Sequence, residues 1–152
     1  EGATLSAAAV RNLFDHTVAR LNQKWRQLPA SAWNASVRTA QGRLVPASET
    51  AWMRTREVWI HAVDLANGAR FDDFPEVVLE SLLTDIIEMW RTKNLGNDLI
   101  IEVTGTAPVT VGDAETTRTL RGPLAAVVRW AAGRGAVGVA SNGPVPAPPR
   151  WL

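Results

Sequence analysis

The 152-residue chain contains no cysteine. Disulfides, thiolate metal sites and a cysteine nucleophile are therefore excluded, and any thiol chemistry must use a thiol carried by a cofactor or substrate. An excess of charge is also missing: 16 basic against 15 acidic residues leave a net charge of +1. The arginines are scattered, which is no footprint for nucleic acid or for an anionic membrane surface. No apolar run approaches the roughly 20 residues of a membrane span. No signal-peptide pattern is visible, and a soluble, cytoplasmic protein is the default expectation. Glycine-rich phosphate loops followed by lysine are absent, no serine stands in a nucleophile-elbow context, and no internal repeat is apparent.

What is present is enough apolar surface for a core. Hydrophobic residues make up 46% of the chain, and seven residues are tryptophan. The length allows one domain or two small ones. After a lead-in from Glu1 to Leu5, Ser6 is a good N-cap. Val10, Phe14, Leu21 and Trp25 recur at helical spacing, so a first helix is expected over Ala7 to Gln27, stopping near Pro29. His16 falls about 200 degrees from Phe14 on the helical wheel. It reads as a solvated or rim histidine in preference to a ligand. Two short extended runs, Ala35 to Thr39 and Arg43 to Val45, flank Ala40-Gln41-Gly42 and resemble a hairpin at the surface. A second helix starts near Pro46 or Ser48 and ends near Asn67-Gly68. Asp72-Asp73-Phe74-Pro75 opens a third, with an aspartate as cap and Pro75 in the first turn, running to about Thr92.

The period then changes. Leu99 to Thr104, Val109 to Val111 and Thr116 to Leu120 read as strands of a small, mostly antiparallel sheet. Gly122-Pro123 opens a fourth helix that stops at Gly133-Arg134-Gly135. The tail, with Pro144, Pro146, Pro148 and Pro149, reads as extended and partly mobile, with Trp151 tacked onto an apolar groove. The expected class is α+β. An incomplete helical part occupies residues 1–95 and a small α/β part residues 96–152.

The second helix carries the best chemical signal. Glu57 and His61 are four residues apart and so share a face, with Asp64 three residues further on the same side. A carboxylate and an imidazole so placed can reach one metal ion. Apolar residues on both flanks of this helix imply that the pair is enclosed. The alternative is that Glu57 pairs with Arg54 or Arg56 and His61 bonds a carbonyl. Gly133-Arg134-Gly135 also has two readings. One is a helix C-cap with a cation near the negative end of the dipole. The other is an arginine held on tight backbone, able to grip a carboxylate bidentately.

Several strings go further. Arg11-Asn12-Leu13, Val18 to Leu21, Thr39 to Arg43, Val45 to Thr50, Arg56 to Leu65, Ala131 to Gly135 and Pro148 to Leu152 resemble the mycothiol-dependent maleylpyruvate isomerases. The resemblance implies a DinB-like helical bundle, partial here, followed by a small sterol-carrier-protein-like α/β domain. It implies zinc held by two histidines and a glutamate, with water completing the shell. Glu57 and His61 match the glutamate and the second histidine; the segment bearing the first histidine has no counterpart. The chain is thus expected to be a C-terminal portion lacking the first bundle helices. Arg134 matches an active-site arginine. The implied reaction is the isomerisation of maleylpyruvate to fumarylpyruvate, in the gentisate route of aromatic catabolism, with zinc and mycothiol as cofactors. The intact protein is expected to be a monomer acting on small molecules, with no nucleic-acid or membrane partner.

Two other readings remain open. One is a mycothiol S-transferase acting on another electrophile, the other a non-catalytic scaffold or binding module. A third zinc ligand could also come from within the chain, from His16 or from Asp64, and Asp64 is the better placed by spacing.

Overall fold

The computed structural model describes residues 4–40, 42–115 and 117–151. Glu1 to Ala3 of the lead-in, Gln41 of the expected turn, Thr116 at the start of the expected third strand, and Leu152 lie outside the described residues. The fold is α+β. Helix α1 spans Ala7–Gln27, strands β1 and β2 span Ser36–Arg38 and Leu44–Pro46, α2 spans Ala47–Asp64 and α3 spans Glu76–Thr92. Strands β3 (Leu99–Val103), β4 (Val109–Thr110) and β5 (Arg118–Gly122) follow, then α4 (Leu124–Ala131) and β6 (Ala140–Ser141). The chain divides into two compact units, Glu1–Arg54 and Thr55–Leu152, with the division inside α2.

In the first unit, α1 begins as its cap demands. The Ser6 hydroxyl accepts the Ala9 N–H at 3.2 Å, satisfying one of the amides a helix start leaves unpaired. No residue of α1 is buried. Strands β1 and β2 pair antiparallel, with Val37 opposite Val45. Their turn is closed by the Gly42 N–H on the Thr39 carbonyl and by the Arg38 guanidinium on the Gly42 carbonyl. Gly42 has φ +84°, a conformation that costs little only without a Cβ.

The second unit holds most of the core. Leu82, Ile86 and Trp90 from α3, Leu99 and Ile101 from β3, Leu120 from β5, and Val127, Val128 and Trp130 from α4 are almost fully excluded from water. Helix α4 packs on α3, on β3 and on β5. Helix α3 therefore shares its core with the sheet, and the second unit starts well before Gly96, where the sequence period changes. The opening of α3 also differs from expectation. Pro75 occupies the N-cap position itself. Asp73 instead accepts the Arg70 N–H at 2.8 Å, closing a 3-10 turn over Phe71–Asp73.

The four-stranded sheet has the order β4-β3-β5-β6. Two of its pairings are antiparallel, but the longest, β3 with β5, is parallel. The reason is geometric. Strand β4 runs back along β3, so the chain leaves it beside the start of β3, where the Val111 N–H meets the Leu99 carbonyl. It then starts β5 beside the same end, where the Arg118 N–H meets the Asp98 carbonyl. A strand begun there can only run with β3. This return passes Gly112, where a Cβ would lie 2.5 Å from the Asn97 Cα.

The tail is fixed in place. The Trp90 indole donates to the Pro149 carbonyl and the Trp130 indole to the Pro146 carbonyl. Trp151 is buried, and the Arg56 guanidinium stands 5.6 Å from its ring centroid. The expected groove for Trp151 therefore exists, but the tail's backbone is tied to the core instead of being mobile.

Candidate functional site

The last turns of α2 and the loop after α4 bring four side chains together. Glu57, His61 and Asp64 line one helical face, as their spacing requires. His61 Nε2 lies 3.1 Å from Glu57 Oε2, and His61 Nδ1 lies 3.2 Å from Asp64 Oδ2. Arg134 reaches the same cluster from the end of α4. Its Nε donates to Asp64 Oδ1 at 3.0 Å and its Nη2 to Asp64 Oδ2 at 2.8 Å.

Local backbone explains how Arg134 gets there. Helix α4 ends in a Schellman arrangement: the Gly133 N–H bonds the Trp130 carbonyl, and the Arg134 N–H bonds the Arg129 carbonyl. Gly133 and Gly135 both have positive φ, +77° and +103°, so the chain turns sharply on either side of Arg134. Arg134 Nη1 donates to the Ala132 carbonyl at 2.6 Å, fixing the guanidinium against its own helix end. Both readings of Gly133-Arg134-Gly135 therefore hold at once. The glycine caps the helix, and the arginine grips a carboxylate bidentately. That carboxylate belongs to the chain itself.

The electrostatics follow from this fork. Hydrogen bonds from Arg134 hold the Asp64 carboxyl below the usual carboxylate range, against the opposing effect of partial burial. The charges of Arg134 and His61 act in the same direction. Arg56 adds a second cation beside Glu57, with its Nη2 3.6 Å from Glu57 Oε1 and its Nη1 3.7 Å from Asp85. The arginine partner expected for Glu57 as the alternative to a metal is thus present as well. A cavity of about 240 Å³ lies beside Arg134, lined also by Gly133, Arg150 and Trp151.

One expectation is corrected. Glu57 and His61 are not enclosed: their side chains are 48% and 62% exposed. The only buried residue of α2 is Ile60, and Trp59 covers just one flank by packing on Phe74, centroids 4.9 Å apart. Apolar residues on both sides of a helix do not by themselves specify what covers its polar face.

The donor geometry suits a metal at two positions. Ligand atoms on a tetrahedral zinc, with bonds of about 2.0 Å, stand about 3.3 Å apart. The Nε2 to Oε2 separation of 3.1 Å is compatible with that value and equally with a direct hydrogen bond between the two side chains. Asp64 does not extend this pair, because it meets Nδ1, on the other side of the imidazole. His16 is exposed on α1. Among the described residues no group of three or more histidine, aspartate and glutamate side chains is arranged to hold a metal.

Comparison with known proteins bears on what this cluster belongs to. Residues 1–66 match the family model of the mycothiol maleylpyruvate isomerase N-terminal domain. The solved crystal structure of a mycothiol-dependent maleylpyruvate isomerase superposes with a TM-score of 0.89 at 48% identity, over 99% of this chain. This chain is similar to the mycothiol-dependent maleylpyruvate isomerases. A histidine-to-alanine mutant of that enzyme matches equally, with TM-score 0.89 and 48% identity over 99% of this chain. The chain spans 63% of the length of each of these two solved relatives. No curated protein sequence matches it. Glu57, His61 and Asp64 fall inside the span matched by the domain model, and Arg134 falls outside it.

Asp64 as the meeting point of His61 and Arg134 was not legible from spacing alone. Its place on the face of Glu57 and His61 was visible, but the signal that would have linked it to Arg134 is a contact between residues 70 positions apart.

Proposed function

We propose that the whole protein is a mycothiol-dependent maleylpyruvate isomerase, converting maleylpyruvate to fumarylpyruvate by cis-trans isomerisation. The observation that carries this reading is the 48% identity to a solved enzyme of that name over 99% of the chain. The reading includes a DinB-like bundle to which residues 1–95 contribute, a sterol-carrier-protein-like domain over residues 96–152, and a cytoplasmic monomer serving gentisate breakdown. The described residues contain no helix long and apolar enough to cross a membrane.

Glu57 Oε2 and His61 Nε2 are the atoms that would hold zinc, and a further donor must come from outside this pair. When bound, zinc and mycothiol together supply a metal-activated thiolate, the nucleophile for reversible addition to an activated cis double bond. The chain's own residues do the positioning. His61 presents Nε2 toward Glu57 while its Nδ1 faces Asp64. Arg134 would receive a substrate carboxylate or stabilise developing enolate charge. Its bonds to Asp64 and Ala132 engage three of its N–H groups, fewer than the five a guanidinium carries.

The test is turnover of maleylpyruvate by the full-length, zinc-loaded gene product, with and without mycothiol. Conversion that requires mycothiol is expected. Absence of conversion, with transfer of mycothiol to other electrophiles, would make the protein an S-transferase instead.

A further inference from the structure

We propose that Asp64 is a positioning residue that locks the His61 ring and the Arg134 guanidinium into one geometry. The proposal rests on the reading of Glu57 and His61 as zinc ligands.

Three observations support it. Asp64 uses both carboxylate oxygens. Oδ1 accepts Arg134 Nε, and Oδ2 accepts Arg134 Nη2 while lying 3.2 Å from His61 Nδ1. The shared oxygen makes ring and guanidinium neighbours of a single atom, so neither can move without disturbing the other's partner. Second, an imidazole that donates from Nδ1 keeps its lone pair on Nε2, the nitrogen that faces Glu57. A carboxylate behind a histidine ligand is a recurrent device for setting both tautomer and ring direction. Third, the fork joins positions 70 residues apart. It therefore fixes the end of α4, and the cavity beside Arg134, to the helix that carries the ligand pair. Asp64 meets His61 at Nδ1 and not at Nε2. Its effect on the reaction passes through His61 and Arg134.

The full-length protein carrying Asp64→Asn tests this, since asparagine keeps the shape and loses the charge. Zinc affinity, measured by chelator competition, should fall about 10- to 100-fold, with Asp64→Glu recovering part of the loss. In metal-free Glu57→Ala protein, where Nε2 has lost its own carboxylate partner, at a pH where the ring is neutral, ¹⁵N shifts should report the Nδ1–H tautomer for His61. Asp64→Asn should shift that population toward Nε2–H. Zinc affinity within about twofold of wild type in the asparagine variant, or an unchanged tautomer, overturns the proposal. A wild-type protein that binds no zinc overturns the zinc reading instead, and the tautomer then decides the role of Asp64 alone.

Discussion

Trp130 donates its indole N–H to the Pro146 carbonyl at 2.7 Å, and both residues are buried. Trp90 meets Trp130 edge-on, centroids 5.8 Å apart, and donates to Pro149. Two core tryptophans thus hold a proline-rich segment that can donate nothing from its own proline nitrogens. Trp130→Phe keeps most of the ring volume but leaves a buried carbonyl without its donor, at a cost of about 1–3 kcal/mol. Urea unfolding should show that loss. Limited trypsin digestion should cleave after Arg150 faster than in wild type. Wild-type stability together with unchanged cleavage would contradict the anchoring role.

Gly112 and Gly105 give opposite expectations for the same change. At Gly112 a Cβ would meet the Asn97 Cα at 2.5 Å, a backbone atom that cannot swing aside. Gly112→Ala should therefore cost about 1–3 kcal/mol through overpacking of the return between β4 and β5. At Gly105 a Cβ meets nothing within 4 Å, and only its φ of +86° opposes substitution. Gly105→Ala should cost about 1 kcal/mol. Thermal melts of the two variants check the order, and a larger loss at Gly105 would refute the steric account.

Asp98 and Arg118 join the starts of β3 and β5. The Arg118 guanidinium donates to Asp98, whose carboxyl is held below its ordinary value of 3.8, chiefly by that hydrogen bond. Arg118 is pushed the other way by the same contact. A carboxyl with a depressed folded-state pKa adds stability that is full above its unfolded value. That stability is lost as pH falls through the folded value. The wild-type protein should therefore lose stability from about pH 4 downward more steeply than Asp98→Asn. Urea midpoints between about pH 5 and pH 2 check this, and parallel curves would refute it. Arg118 stays charged throughout this range and adds no slope of its own.

The sequence signals that were read correctly are local ones. Ser6 and Pro29 bracket α1, and the structure places it at Ala7–Gln27. The Gly42 turn and its flanking extended runs gave the β1–β2 hairpin. Strand β6 was missed because two residues, Ala140–Ser141, carry no period. The sheet is mostly antiparallel, as expected, with two of its three pairings of that kind, but the parallel direction of β5 was not legible, because it depends on which end of β3 the chain returns to. The tail's fixity depends on indole donors more than a dozen residues away. At the candidate site, Glu57 and His61 stood out because helical spacing is local. Their exposure did not, because it depends on what packs against α2. Arg134 was marked by its glycines, but its engagement with Asp64 is a tertiary fact.

Glu57 and His61 allow function to be separated from stability. Both side chains are substantially exposed, and neither contributes to the core. Surface substitutions of this kind usually change stability by less than about 0.5 kcal/mol. In the metal-free 152-residue chain, His61→Ala and Glu57→Ala should therefore melt near wild type. Each also removes one of the two zinc donors assigned to α2, and a site short of a protein ligand binds zinc far more weakly. The expected result is near-native unfolding of the metal-free chain, with zinc binding and maleylpyruvate turnover largely lost in the corresponding full-length variants. Metal content of the purified proteins, calorimetric zinc titration and the isomerase assay provide the measurements. Retained zinc stoichiometry in both variants would show that the metal is held elsewhere, and Glu57 would then be explained by its contact with Arg56. Loss of turnover with zinc retained would instead place the pair in substrate handling.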